Sequence, residues 1–397
     1  MTSAFSSPRW SSFAQKARVV TAGICALVLT VGIARFAYTP LLPVMRDQAG
    51  LSVVAGGWLA TINYAGYVSG AVVAATVSRL EHKFLLYRLG LVLALLSTAG
   101  MGVTDSVIVW AILRYIGGLA SVTGLLIASG LVLNWLIRHG QRPLLGVHFA
   151  GMGLGIVLSG VAAQMMAGKL AWDREWLTLA AVGVVFFVPA WFWMPSPSAG
   201  RAQPVGDSAV PTDRTWLITM IAAYFCAGIG YVISATFIVE IVRNLPLMVG
   251  KGNLVWVIVG LAALPSSFLW DRVQQVWGVM PALIIAYVIE IVSILLPALF
   301  GGVAANMLAA VLFGGTFVGI VSLTLSLIGR RFPANPAKAM ARLTLSYGVA
   351  QILAPAMAGA IAAHSGSYRG ALFIAAIAML GGVALLFVAR SVQRSDA

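Results

Sequence analysis

The sequence predicts an all-α membrane protein of twelve transmembrane helices in two pseudo-symmetric six-helix halves. Three observations predict it. Only 9% of the 397 residues are charged and 60% are hydrophobic. Apolar runs recur from Val19 to Ala389 at the length, roughly 20 residues, that a bilayer core of about 30 Å requires. The longest polar connection falls at the middle of the chain, over 195–215. A water-soluble fold of this size needs polar outer faces, which this composition does not supply.

The elements follow in order. Residues 1–18 are polar, with Arg9, Lys16 and Arg18 ahead of the first apolar run. That run is long, contains Arg35 and has no small-residue cleavage site after it, so it reads as a retained first helix. The first bundle, 19–194, holds spans Val19–Met45, Val53–Val77, Phe84–Val103, Val107–Leu136, Leu144–Ala167 and Trp176–Met194. The connection 195–215, rich in Ser, Pro and Gly with Asp207 and Asp213, reads as a flexible cytoplasmic linker. The second bundle, 216–389, holds Trp216–Val242, Asn253–Trp270, Val279–Phe300, Ala304–Ile328, Ala339–Ala363 and Gly370–Ala389, and 390–397 forms a short tail. Pro265 shortens the apolar run of the eighth span.

Charge sets the orientation. With both termini cytoplasmic, 17 of the Lys and Arg residues lie inside and 6 outside, while Arg35 and Arg114 lie within spans. The net charge of +14 therefore belongs to loops that hold topology, and no nucleic-acid partner is expected. Cys25 and Cys226 lie inside apolar spans and read as small core residues. The four histidines lack metal-ligand spacing, and no metal or cofactor is expected. No nucleotide-binding loop appears, and the length leaves no room for a soluble catalytic domain, so the chain reads as neither a primary pump nor an enzyme. Trp110, Trp176 and Trp216 lie near span ends and read as interfacial belt residues.

A weak internal repeat accompanies the central linker. A shift of 196 residues lays Gly32-Ile33-Ala34-Arg35 over Gly228-Ile229-Gly230-Tyr231, and Gly151 and Gly155 over Tyr347 and Gln351. A shift of 197 lays Gly117-Gly118 over Gly314-Gly315. Related halves of this kind place a transporter's site at their interface near the midplane.

Over essentially its full length the chain resembles the major facilitator superfamily. Leu41-Leu42-Pro43 ends the first span and Gly50-Leu51-Ser52 opens the second. Arg114-Tyr115-Ile116-Gly117-Gly118 looks like the superfamily's Arg-x-x-x-Gly signature, which the resemblance links to proton coupling. Gly151, Gly155 and Gly160 resemble a degraded antiporter motif without its proline. Asp271-Arg272 matches the core of the cytoplasmic loop motif, whereas Ser78-Arg79-Leu80-Glu81 in the first half lacks the expected aspartate. The segments from Gly32 to Pro43, Asn63 to Tyr67 and Gly230 to Phe237 resemble the YbfB/YjiJ-type branch. That branch does not define a substrate.

Few polar groups enter the spans. Arg35 lies about 16 residues into the first span, near mid-depth, where an arginine is costly unless it meets an anion, a carboxylate or water. It reads as a substrate-anion or gating residue, with an ion pair or snorkelling to the outer surface as the bland alternative. Arg114 is a candidate for proton coupling or a helix-packing anchor. Glu290, mid-span in the ninth helix, is a candidate proton carrier, although the resemblance makes that helix peripheral. Glu240, close to Arg243, reads as a surface pair or a gate. Asn63, Tyr64, Tyr67, Tyr231, Thr236, Tyr347 and Gln351 could orient a polar solute, or bond between helices. His148 reads as a packing histidine.

The function expected is a secondary transporter of a small, anionic organic solute, proton-coupled and working by alternating access in a bacterial cytoplasmic membrane. A monomer suffices. Efflux of amphipathic or cationic compounds is the alternative, and a non-transporting receptor a third reading.

Overall fold

The computed structural model describes residues 12–77, 79–141, 146–197, 214–243, 245–332 and 336–395. Most of the expected N-terminal segment and of the linker 195–215, with Asp207 and Asp213, lies outside the described residues. All regular structure among the described residues is helical. The helices are α1 (Phe13–Gln48), α2 (Val53–Thr76), α3 (Leu80–Met101), α4 (Val107–Arg138), α5 (Gly146–Met166), α6 (Trp172–Trp193) and α7 (Arg214–Val242). They continue as α8 (Leu254–Ala263), α9 (Ser266–Trp277), α10 (Val279–Leu299), α11 (Val303–Arg331), α12 (Pro336–Ser365) and α13 (Arg369–Ser395).

Ten of these are long and apolar enough to cross a membrane, and eleven spans result if α8 and α9, bent by 42°, are one. The bend falls at Leu264-Pro265, where proline removes a backbone donor and ends the first segment. The helix α2 has the length, 24 residues, but Asn63, Tyr64 and Tyr67 dilute its apolar run. Its polarity matches its position, since it packs between α4 and α12. Large apolar side chains such as Leu96, Ile108, Val185 and Ile377 are exposed on the outside of the bundle, as a lipid environment requires.

Small residues let the helices approach. Gly32 of α1 lies against the backbone of Gly155 on α5, and a side chain at either would collide with the other. Gly118 of α4 abuts the Asn63 carbonyl on α2. Its shifted counterpart Gly314 of α11 abuts the Val259 carbonyl on α8. Positions 63 and 259 are themselves 196 apart, so the repeat relates contacts as well as residues. Elsewhere α2 packs on α12, with Gly57 against the Pro355 carbonyl and Val68 against Gly348. The matching pair is α5 on α8, with Gly153 against Leu264. Where α1 meets α7, shift mates touch directly: Thr39 donates to the Ala235 carbonyl at 2.6 Å, and Arg243 pairs with Asp47 at 2.6 Å.

Two stretches depart from α-helical winding. Val28–Phe36 of α1 and Thr123–Ala128 of α4 are wound as wider π-helical turns. Such turns leave carbonyls without their usual partners and often mark functional places. The first ends on Arg35-Phe36.

Candidate functional site

The wide turn of α1 carries Arg35 to the centre of the bundle, where it is 5% exposed. Its guanidinium carbon lies 4.4 Å from the ring centre of Tyr67 and 4.6 Å from that of Tyr64, three residues apart on α2. The Phe36 ring is 5.5 Å away. One terminal nitrogen donates to the Gln351 side-chain oxygen on α12 at 3.4 Å, a long bond, and Nε is buried without a partner. No described carboxylate forms an ion pair with it. The ring contacts stabilise the cation by about 1–2 kcal/mol each in a dry site. Together they are comparable with the several kcal/mol for placing an arginine at this depth, but they leave its N–H donors to be satisfied separately.

Arg114 of α4 stands behind it, also buried and also without a carboxylate. It donates to the carbonyls of Ala34 and Arg35, both at 3.3 Å, which the wide turn leaves available. Its guanidinium lies 4.3 Å from the Tyr38 ring. Asn63 donates to the Arg114 carbonyl at 2.7 Å and faces α4 rather than Arg35. Asn63 thus bonds between helices through its amide nitrogen, while its side-chain oxygen is buried without a partner. Arg114 fixes the backbone that presents Arg35.

The opposite wall comes from α7, α11 and α12. Tyr231 faces Arg35. The rings of Tyr224 and Tyr347 stack at 4.5 Å and 24°, and those of Tyr231 and Tyr347 at 5.8 Å and 29°. Phe313 and Phe317 lie 6.1 and 5.5 Å from Tyr231 and 5.2 Å from each other. Tyr224, Phe313 and Phe317 were not legible as site residues, since aromatic side chains in apolar runs carry no distinguishing signal. Spacing could have found them, because 224 and 231 are seven apart, and 313 and 317 four apart, on single helix faces. Thr236 lies on α7, buried and one turn from Tyr231 toward the α1 contact.

The buried carboxylates lie elsewhere. Glu290 of α10 accepts a bond from the Thr316 hydroxyl of α11, next to Phe317, and so borders the aromatic wall from behind. Glu240 is not the surface pair expected of it. It is 2% exposed and pairs with both Arg46 of α1 and Arg243 of its own helix. Arg243 also donates to the Pro43 carbonyl at 3.3 Å and to Asp47. These bonds join α1 to α7 at the end where α1 terminates. A cavity of about 500 Å³ opens beside them, lined by Arg46, Glu240, Arg243, Asn306, Tyr368 and Arg369 among others.

Other expectations resolve simply. Trp110, Trp176 and Trp216 are fully buried and not belt residues. Trp110 donates to the Met101 carbonyl at 3.1 Å and Trp176 to the Met45 sulfur at 3.4 Å, so their polar edges turn into the bundle. A place near a span end sets depth, not the direction a ring faces. His148 packs against Gly23 and meets the Ser129 hydroxyl at 2.8 Å. Asp271 and Arg272 lie within α9, where Gln274 donates to Asp271 at 2.7 Å. They are remote in sequence and place from the central cluster.

The chain is similar to known transporters along its length. It is 25% identical over 275 residues to the uncharacterised MFS-type transporter YceJ of Bacillus subtilis, covering 65% of this chain and 67% of that protein. Protein TsgA of Escherichia coli is 24% identical over 291 residues, covering 70% and 71%. Among solved structures, the nucleoside transporter NupG superposes with a TM-score of 0.70 at 12% identity, over 95% of this chain and 98% of that one. A bacterial homologue of the human lysosomal transporter Spinster, inward-facing and occupied, gives 0.67 at 13%, over 97% and 98%. At these identities the solved structures share the fold alone. The family described as uncharacterised MFS-type transporter YbfB matches residues 27–387, and the chain belongs to that family of major facilitator membrane transporters.

Proposed function

We propose that this protein is a secondary active transporter that moves a small organic anion by alternating access and couples it to protons. One observation carries the anion: Arg35 is buried at the centre with an unpartnered Nε and with no carboxylate paired to it among the described residues. A buried cation left in that state is stabilised when an anion arrives, and a guanidinium matches a carboxylate with two parallel bonds. Glu290, held by Thr316 behind the aromatic wall, is the carboxylate assigned to the proton. The contacts repeated at a shift of 196 support two six-helix bundles, 19–194 and 216–389, rocking about this centre. The Lys and Arg bias supports a bacterial cytoplasmic membrane with both termini inside, which puts the Arg46–Glu240 contact on the outer side. All groups of the site come from one chain, so a monomer suffices.

Proteoliposomes with an internal pH dye test this reading. Small carboxylates are expected to drive proton flux beyond that of protein-free vesicles, and Arg35→Ala to abolish it. Flux driven instead by amphipathic cations and indifferent to Arg35→Ala would overturn the anion and assign the protein to efflux.

A further inference from the structure

We propose that the solute is a monocarboxylate carried on a flat, aromatic or conjugated body. Its carboxylate would meet Arg35 and its ring would enter the tyrosine stack of α7 and α12. The inference rests on the anion reading above and adds the class of anion.

Two observations converge on it. First, Tyr64, Tyr67 and Gln351 surround the guanidinium and share its donors, yet Nε has no partner and the bond to Gln351 is long, so donor capacity remains for a ligand. A single planar carboxylate matches that capacity.

Second, the wall facing the guanidinium is made of rings held nearly parallel. Tyr224, Tyr347, Tyr231 and Phe313 form a succession with interplanar angles of 24°, 29° and 23°. The gap between Tyr231 and Tyr347, 5.8 Å, is wider than that between Tyr347 and Tyr224, 4.5 Å. The Tyr231–Tyr347 gap is also the one beside Arg35, since Tyr231 faces the guanidinium and Tyr347 lies one turn before its partner Gln351, so a flat ring parting these two would stack on both. A bent aliphatic ring would need the wall to part further and would gain no stacking.

The test is a thermal-stability titration of the purified full chain with benzoate, cyclohexanecarboxylate and gluconate, since a ligand of the folded state raises its midpoint in proportion to occupancy. Benzoate is expected to act at concentrations about two- to tenfold lower than cyclohexanecarboxylate, the gain of one stacked ring, and gluconate to act least. Tyr347→Leu should erase the gap between the two ring acids, whereas Tyr347→Phe, which keeps the ring and folds as readily, should preserve it. Arg35→Ala should remove the response to all three. Equal responses to the three acids, all lost in Arg35→Ala, would overturn the flat-body inference and leave the anion reading standing. A preference for benzoate untouched by Tyr347→Leu would overturn this placement of the ring. If no carboxylate shifts the midpoint, both readings fall.

Discussion

Two regions of the molecule place arginines between helices, and they treat them in opposite ways. Where α1 meets α7 near Asp47, Arg46 and Arg243 share Glu240, and Arg243 also holds Asp47. At the centre, Arg35 and Arg114 have tyrosine rings, carbonyls and one amide, and no ion pair with a carboxylate among the described residues. The first arrangement balances charge and joins two helices. The second leaves two cations unbalanced, each with an unpartnered Nε. Arg114 bonds two backbone carbonyls through one nitrogen, whereas the one bond of Arg35 is the long one to Gln351. The difference separates arginines whose charge is met within the fold from arginines whose charge is not.

The comparison can be broken by mutation, and the largest effect is expected at the centre. Arg35→Ala should lower transport efficiency by about 30- to 4,000-fold, the cost of about 2–5 kcal/mol for truncating one partner of a desolvated charge pair. The expressed protein should keep its elution profile in detergent. Arg35→Lys should recover only part of this, because an ammonium cannot fork. A wild-type rate in either variant would place Arg35 with the structural arginines.

A smaller effect is expected where α1 meets α7. Glu240→Gln leaves Arg46 and Arg243 short of a shared carboxylate, at about 1–2 kcal/mol, reduced from the buried-pair range because both arginines are about a fifth exposed. If that contact is the outer closure, a cysteine placed at Thr39 should react about tenfold faster with an impermeant thiol reagent in Glu240→Gln. An unchanged rate would make the contact a static brace. Arg114→Lys, losing at least one of two carbonyl bonds, should cost about 1–2 kcal/mol of stability and raise KM more than it lowers kcat. The smallest effect is expected at Arg79, whose pair with Glu81 is exposed at both ends. Arg79→Ala should change melting by less than about 0.5 kcal/mol.

Much of this was legible in the sequence because the bilayer imposes a simple length and polarity code. The all-helical, multi-span architecture and an arginine buried within the first span could be read from one chain, whereas twelve spans were expected and ten to eleven helices pass as long and apolar enough. What could not be read was direction and partnership. Trp176 lies near a span end in either orientation, and only packing decides that its N–H meets Met45. Glu240 and Arg46 are separated by nearly half the chain, and nothing local ties them together. Asn63 carries the same side chain whether it faces a solute or the Arg114 carbonyl. The wide turn of α1 has no residue signature either, since Val28–Phe36 contains neither proline nor a polar cluster.

Positions 47 and 243 are mates under the 196-residue shift, and they hold an aspartate and an arginine. Two identical copies of either half, assembled as a symmetric pair, would set aspartate against aspartate or arginine against arginine at this point. The ion pair at this point therefore depends on the two positions carrying different residues, as they do here. The mates 35 and 231 differ likewise, an arginine facing a tyrosine.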